Sequence, residues 1–155
     1  MADPRWLDER EAEMWRAMQE AWSALDGALE RQLAEEGLSA ADYALLVPLS
    51  EAEGDLLRAR ELAGRIGWER SRLSHQLRRM EQRGLVERSE CSEDARGTMI
   101  ALTPQGRAAL EQAAPGHVAA VRRHFVDLVE PDEVPVLAAV FRRVREALGR
   151  TDGCG

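Results

Sequence analysis

A cluster of hydrogen-bond donors lies between residues 70 and 79 of this 155-residue chain. Arginine carries a planar fork that fits phosphates and guanine edges, and serine and histidine can bond to phosphates or base edges. If Leu73, Leu77 and Met80 face inward on a helix, a rotation of about 100° per residue turns the polar side chains outward or sideways. These side chains are Arg70, Ser71, Arg72, Ser74, His75, Arg78 and Arg79. The pattern fits a DNA-contacting face, and it also fits an ordinary solvated helix face.

Charge is unevenly distributed along the chain. The net charge of −7, taken alone, argues against nucleic acid as a partner. Residues 58–107, however, hold 11 Arg and 7 acidic residues, whereas residues 1–57 hold 4 Arg and 14 acidic residues. Salt screens charges that lie more than about 8 to 10 Å apart, so the local balance matters more than the total. The basic middle is therefore the segment predicted to meet DNA. Every basic residue in it is Arg, which suits DNA contacts and is also what a GC-rich coding bias produces.

Two short helices separated by a tight turn are predicted over residues 60–67 and 70–83, each closed by a glycine. Each helix has one apolar stripe, which is the helix-turn-helix pattern. Strands are predicted over residues 85–90 and 98–102, on either side of a polar loop. A hairpin directly after a helix-turn-helix is a wing.

Longer amphipathic helices are predicted on both sides of this motif. The first runs to about residue 36, with Asp3 as its N-cap and Pro4 at its first position, and Ser39 caps the next. After the wing, helices are predicted from residue 104 to about 129 and from about 131 to 150. The first helix is too long for a small domain to cover, and its tryptophans enlarge its apolar stripe. Part of this surface is therefore predicted to meet another chain.

Several other function classes are disfavoured. The chain has no apolar stretch long enough to span a membrane, no signal-peptide core and only two cysteines, which favours a cytoplasmic location. His117 and His124 are seven residues apart, too far for one metal ion, and Cys91 is interpreted as a small structural residue. Phosphate-loop and nucleophile motifs are absent from the sequence. We therefore expect no catalytic site, no metal and no cofactor.

Three blocks of the sequence resemble the MarR family of bacterial transcription regulators. They comprise residues 61–88, which open with ELA and close with MEQRGLVER, the loop EDAR at 93–96, and LTPQG at 102–106. The resemblance implies a mainly α (α+β) fold, a winged helix-turn-helix with long terminal dimerisation helices and a small antiparallel wing hairpin. It implies one domain over residues 1–150, with dimerisation helices in 1–36 and 108–150 and a DNA-binding lobe in 55–103. Residues 151–155 are expected to form a flexible tail.

The same resemblance assigns roles to individual residues. Asp94 would brace the wing loop and Arg96 would enter the minor groove. From the helix rotation, we expect Arg72, Ser74 and His75 to lie nearest the bases, with Arg70, Ser71, Arg78 and Arg79 divided between bases and phosphates. A ligand pocket is expected between the dimerisation helices and the winged lobe, for a small aromatic or apolar effector. The candidates for this pocket are Trp15, Trp22, Tyr43 and His117. Two residues depart from the family pattern: Glu69 stands where a small capping residue is usual, and Trp68 is large for the turn.

The predicted function is that of a sequence-specific, homodimeric transcriptional regulator. It would repress from palindromic operators in double-stranded DNA and be released by a small ligand. One alternative is a winged-helix protein-interaction module that does not bind DNA, to which the acidic net charge lends weight. Another is a small helical dimer that binds a ligand or catalyses a reaction. Salt-sensitive DNA binding would distinguish the regulator from both.

Overall fold

The computed structural model describes residues 4–90 and 97–151, and helices dominate them. Short 3-10 turns at Glu53–Asp55 and Val126–Leu128 supplement the main elements. The predicted helix-turn-helix and wing strands are confirmed, with bounds that shift by one residue or less. The elements in chain order are α1 (Glu9–Glu35), α2 (Ala40–Ser50), β1 (Leu56–Arg58), α3 (Ala59–Ile66), α4 (Arg70–Gln82), β2 (Val86–Glu90), β3 (Thr98–Leu102), α5 (Pro104–His124) and α6 (Glu133–Thr151).

Capping residues fix where the first two helices begin. The Glu11 amide donates to the Asp8 carboxylate at 2.8 Å, and the Asp8 amide donates to the Glu11 carboxylate at 3.0 Å. This capping box satisfies amides that the helix itself leaves free, so α1 begins at Glu9 and the predicted start at Pro4 is wrong. Ser39 and Asp42 form the equivalent box for α2, so the prediction that Ser39 caps this helix is confirmed.

A three-stranded antiparallel sheet supports the wing, with strand order β1-β3-β2. Leu57 pairs with Ile100, and Val86 pairs with Leu102, so each pair brings two apolar side chains into the core. Strand β1 was not predicted, because three residues are too few for an alternating pattern to be recognised. The sheet joins the start of α3 to the wing hairpin.

The LTPQG block forms the junction between α4, β2 and α5. The Thr103 hydroxyl donates to the Gly84 carbonyl at 2.6 Å and accepts from the Gly106 amide at 2.9 Å, which makes it the predicted N-cap of α5. A Cβ on Gly106 would lie 2.0 Å from the Leu85 carbonyl oxygen, so the close approach of α5 requires glycine here. The junction holds the end of α4 against the base of the wing.

The described residues divide into two compact units, with the division between Ala120 and Val121 inside α5. The first contains the helix-turn-helix, the sheet, α1, α2 and most of α5. The second contains the end of α5, which stops at His124 rather than near residue 129, and α6. The predicted single domain and its subdivision stay a prediction. No helix in the described ranges is both long and apolar enough to cross a bilayer.

Candidate nucleic-acid interface

Helix α4 presents one polar face to solvent and one apolar face to the core. Leu73, Leu77 and Met80 are almost completely buried, as the 100° rotation predicted. All seven predicted DNA-contacting residues of this helix are exposed, and the structure brings them together on its outer side. They are Arg70, Ser71, Arg72, Ser74, His75, Arg78 and Arg79.

A buried polar network fixes the inner side of α4. The Asp42 side chain is only 1% exposed and accepts a hydrogen bond from the Gln76 amide at 2.7 Å and another from the Arg83 guanidinium at 2.6 Å. Arg83 also donates to the Gly37 carbonyl at 2.6 Å. Buried polar groups that are fully paired set one relative position of the elements they join. Sequence analysis missed this network, although the Ser39–Asp42 capping spacing was a signal for one of its members.

An open groove of about 660 Å³ runs beside the N-terminal half of α4. Four arginines line it, namely Arg58, Arg60, Arg70 and Arg88, and none of its described lining residues is acidic. We call this the basic groove. Gly97 and Thr98, at the end of the hairpin next to the wing tip, line it too. Glu81 pairs with Arg88, so Arg58, Arg60 and Arg70 supply the positive charge of the groove. A concave surface with charge of one sign raises the local concentration of the opposite charge, so the groove suits a phosphate backbone.

The described arginines of the basic middle differ in whether a carboxylate neutralises them. Arg83, Arg88 and Arg107 are bound to the carboxylates of Asp42, Glu81 and Asp55, respectively. The side-chain hydrogen bonds from Arg88 lower the pKa of Glu81, so this pair stays ionised at neutral pH. The arginines of the outer α4 face, in contrast, form no ion pair with a carboxylate in the described part of the chain. Their charge is therefore available to a partner.

The turn before α4 contains both departures from the family pattern. Glu69 occupies the N-cap position, but its side chain makes no capping hydrogen bond. Trp68 is half-buried against the core, and the guanidinium of Arg72 lies over its ring. The first turn of α4 is thus held by packing and stacking rather than by a side-chain cap.

The wing tip lies outside the described residues, which stop at Glu90 and resume at Gly97. The roles predicted for Asp94, Arg96 and Cys91 therefore stay predictions. The strands that carry the tip are well defined, since Glu90 pairs with Thr98 at the end of the hairpin. Gly97 and Thr98, at the same end of the hairpin, line the basic groove.

Two of the four candidate ligand residues are in contact. The Tyr43 and His117 rings lie 4.3 Å apart between centroids, and burial raises the pKa of Tyr43 and lowers that of His117. His117 Nδ1 and the Gln32 side-chain oxygen are buried and have no hydrogen-bond partner among the described residues. Gln32 lies against Gly116, the neighbour of His117. The two unpartnered atoms lie beside the Tyr43–His117 contact, and Gln32 was not among the ligand residues predicted from the sequence.

The other two ligand candidates are not part of this contact. Trp15 and Trp22 are 47% and 68% exposed on α1. Trp22 precedes Gln32 by ten residues, or roughly 15 Å along a helix, and Trp15 is farther still, so neither tryptophan of the same chain lies beside Gln32. Within the described ranges no three His, Cys, Asp or Glu side chains gather as metal ligands.

The turn, helix α4 and the following hairpin define a winged helix-turn-helix protein, and comparison with known proteins gives its family. A sequence model of the MarR family matches residues 38–98. The HTH-type transcriptional repressor YetL of Bacillus subtilis is 28% identical over 141 residues, which cover 89% of this chain and 84% of YetL.

Solved structures give the same result over nearly the whole chain. AbsC, a MarR family transcriptional regulator from Streptomyces coelicolor, is 42% identical with a TM-score of 0.90, covering 94% of this chain and 98% of AbsC. Sco3205 is a MarR family transcriptional regulator from the same organism, and its structure was solved in complex with DNA. It is 41% identical with a TM-score of 0.91, covering 94% of this chain and 92% of Sco3205. The chain therefore belongs to the MarR family, and these relatives are described as transcriptional regulators rather than enzymes.

Proposed function

We propose that this protein represses transcription as a homodimer that binds an inverted-repeat operator through α4 and the wing. It is a DNA-binding regulator of the MarR family, and the observation that carries the detailed proposal is the exposed donor face of α4 beside the basic groove. The repressor YetL and the DNA complex of Sco3205 support repression and duplex binding, respectively.

The outer face of α4 would lie in the major groove. An α-helix fits this groove, and the N-terminal residues of a recognition helix contact base edges. We assign base contacts to Arg72, Ser74 and His75. The remaining donors of α4 would be divided between bases and phosphates, and Arg58 and Arg60 in the basic groove would bind phosphates and fix the register. Arg96 would enter the adjacent minor groove, where a narrow groove attracts arginine, and Asp94 would brace the loop.

Dimerisation is supported by apolar residues that the single chain leaves exposed. Met14, Met18 and Trp22 are spaced four residues apart on α1, and all three are exposed. In α6, Phe141 and Val144 are exposed as well. Exposed apolar residues that share one helix face are typical of protein–protein interfaces. A twofold dimer would place two copies of α4 about 34 to 36 Å apart, one turn of DNA.

An effector site at Tyr43 and His117 would make the repressor responsive to a small molecule. The contacting rings supply an apolar wall, and the unpartnered His117 and Gln32 atoms supply polar groups that a ligand can satisfy. The ligand class that fits is a small aromatic or apolar compound with one or two polar groups. Such a ligand releases DNA only if it binds more tightly to the form in which the two α4 helices do not match the operator.

Selection of bound sites from a random DNA pool tests this function. We expect an inverted repeat whose half-site centres lie about 10 base pairs apart, bound with an affinity that falls steeply as salt increases. A scrambled duplex of equal length serves as the control. If no sequence is enriched and no salt-sensitive binding occurs, the proposed function is wrong and a protein-interaction module becomes the better interpretation.

A further inference from the structure

Trp68 occupies an unusual place in the turn between α3 and α4. Its amide donates to the Ala63 carbonyl at 3.1 Å, and its side chain is half-buried against the core. With Glu69 as N-cap, Trp68 stands at the position before the cap and Leu73 at the fourth helical position, where two apolar residues commonly pack together. One side of the indole is thus anchored in the protein interior.

The guanidinium of Arg72 lies over the ring of Trp68. The Arg72 Cζ atom is 3.9 Å from the ring centroid, well inside the distance of about 6 Å at which a cation is attracted to an aromatic face. Arg72 is exposed, and it forms no ion pair with a carboxylate among the described residues. The indole is therefore the group that holds this side chain.

Stacking leaves the recognition chemistry of arginine intact. A guanidinium stacked on a ring uses its face, whereas its five N–H donors point outward in its plane. Two of these donors can still bind O6 and N7 of one guanine. A carboxylate partner such as Glu81, which binds Arg88 through two of its N–H groups, would instead occupy the donors themselves.

We propose that Trp68 is a positioning residue that presets Arg72 for bidentate binding to one guanine in each operator half-site. This inference rests on the proposed function and adds a specificity determinant to it. An unconstrained arginine side chain loses conformational entropy when it binds DNA. A side chain that is already stacked on an indole has lost part of that entropy before binding, so its binding costs less. The attraction also strengthens when DNA excludes water from the pair.

The test separates the aromatic face from simple apolar packing. Trp68→Phe retains a face for the cation, while Trp68→Leu retains apolar volume without one. Operator affinity is measured by fluorescence anisotropy for both variants, for Arg72→Ala and for the double variant Trp68→Leu/Arg72→Ala. Site selection with Arg72→Ala identifies the guanine for which this variant no longer has a preference. The same affinity measurements are then made on an operator in which that guanine is replaced by another base.

We expect Trp68→Leu to weaken operator binding about 3- to 30-fold, and Trp68→Phe to weaken it by about threefold or less. On the replaced operator the loss from Trp68→Leu should largely disappear. The double variant should bind about as well as Arg72→Ala alone, because both changes remove the same interaction. Equal losses for Leu and Phe, additive losses, or an undiminished loss on the replaced operator would overturn the proposal.

A measurement on the unmodified protein covers the case in which Trp68→Leu does not fold. The Arg72 Hδ protons should show an upfield ring-current shift in the NMR spectrum of the DNA-free protein, and its absence would overturn the contact. If the unmodified protein shows no salt-sensitive DNA binding, the proposed function itself fails and the DNA role of Trp68 fails with it. If it binds its operator but the variants behave as simple packing mutants, only the inference about Trp68 fails.

Discussion

At the scale of single residues, the role of each arginine depends on the groups that surround it. Arg83 and Arg88 are bound by carboxylates and serve the fold, whereas Arg72 is stacked on an indole with its donors free. The sequence could predict that residues 70–79 carry donors on one face. It could not predict that Arg83 and Arg107 are neutralised, because their partners, Asp42 and Asp55, are 41 and 52 residues away in the chain.

Arg72→Ala should weaken operator binding and relax base preference by about 1 to 3 kcal/mol, the usual cost of losing a bidentate base contact. Binding titrations on the operator and on operators with single substitutions measure both quantities. Arg65→Ala is the matched control, because Arg65 is exposed on α3 and outside the residues that line the basic groove. Unchanged selectivity in Arg72→Ala would refute the assignment of Arg72 to a base.

His117 should make the stability of the protein depend on pH. Burial lowers its pKa from 6.5, so near and below that pH the unfolded chain binds more protons than the folded one. The free energy of unfolding should therefore decrease as pH falls below about 6.5, and His117→Gln should reduce this decrease. Urea unfolding between about pH 5 and 8 measures it. A His124→Gln chain keeps His117 and should keep the dependence; equal pH profiles for the original chain and His117→Gln would contradict this explanation.

At the scale of secondary-structure elements, local signals were sufficient for most of the fold. Gly67 and Gly84 adopt positive φ angles of 67° and 73° and end α3 and α4, as their positions in the sequence predicted. Elements set by distant contacts were harder to predict. Strand β1 exists because it pairs with β3, and Gln76 is buried because Asp42 on another helix pairs with it. The start of α1 was predicted too early because both Asp3 and Asp8 are acceptable N-cap residues. The capping box with Glu11 favours Asp8.

Asp42→Asn should destabilise the protein, because it places an amide N–H₂ group or a weaker acceptor against the donors of Gln76 and Arg83. Arg83 is partly exposed and can be solvated, so we expect a loss of about 2 to 4 kcal/mol in the free energy of unfolding. Glu81→Gln is the control: it weakens an exposed pair and should cost about 1 kcal/mol or less. Similar urea midpoints for the two variants would show that the network does not hold α4.

At the scale of the whole molecule, the chain combines a basic middle segment with an acidic N-terminal segment and exposed apolar stripes. Residues 1–57 carry 14 acidic residues, so the net charge of −7 comes mainly from this segment, whereas the outer face of α4 is basic, and the total does not argue against DNA binding. Trp6, Met14 and Trp22 are more than 60% exposed, which is unusual for residues of this size and type. Exposure of this kind could be expected from the length of α1, but the sequence of one chain does not identify a partner for this surface.

Trp22→Glu should shift the protein from dimer toward monomer, because the charge would have to be buried in the proposed interface. Light scattering coupled to gel filtration should give twice the 17.3 kDa chain mass for the original protein and a lower mass for the variant at equal concentration. Glu20→Gln, on the same helix, should remain dimeric. A monomeric mass for the original protein would contradict the dimer proposal.

The central claim is that two copies of α4 enter the major groove of one operator. Methylation of guanine N7 marks that groove directly, because this atom is exposed only there. Methylation interference on the selected operator should show blocked binding at guanines in both half-sites, with centres about 10 base pairs apart. Binding that tolerates methylation at every guanine, or interference confined to a single half-site, would contradict the account.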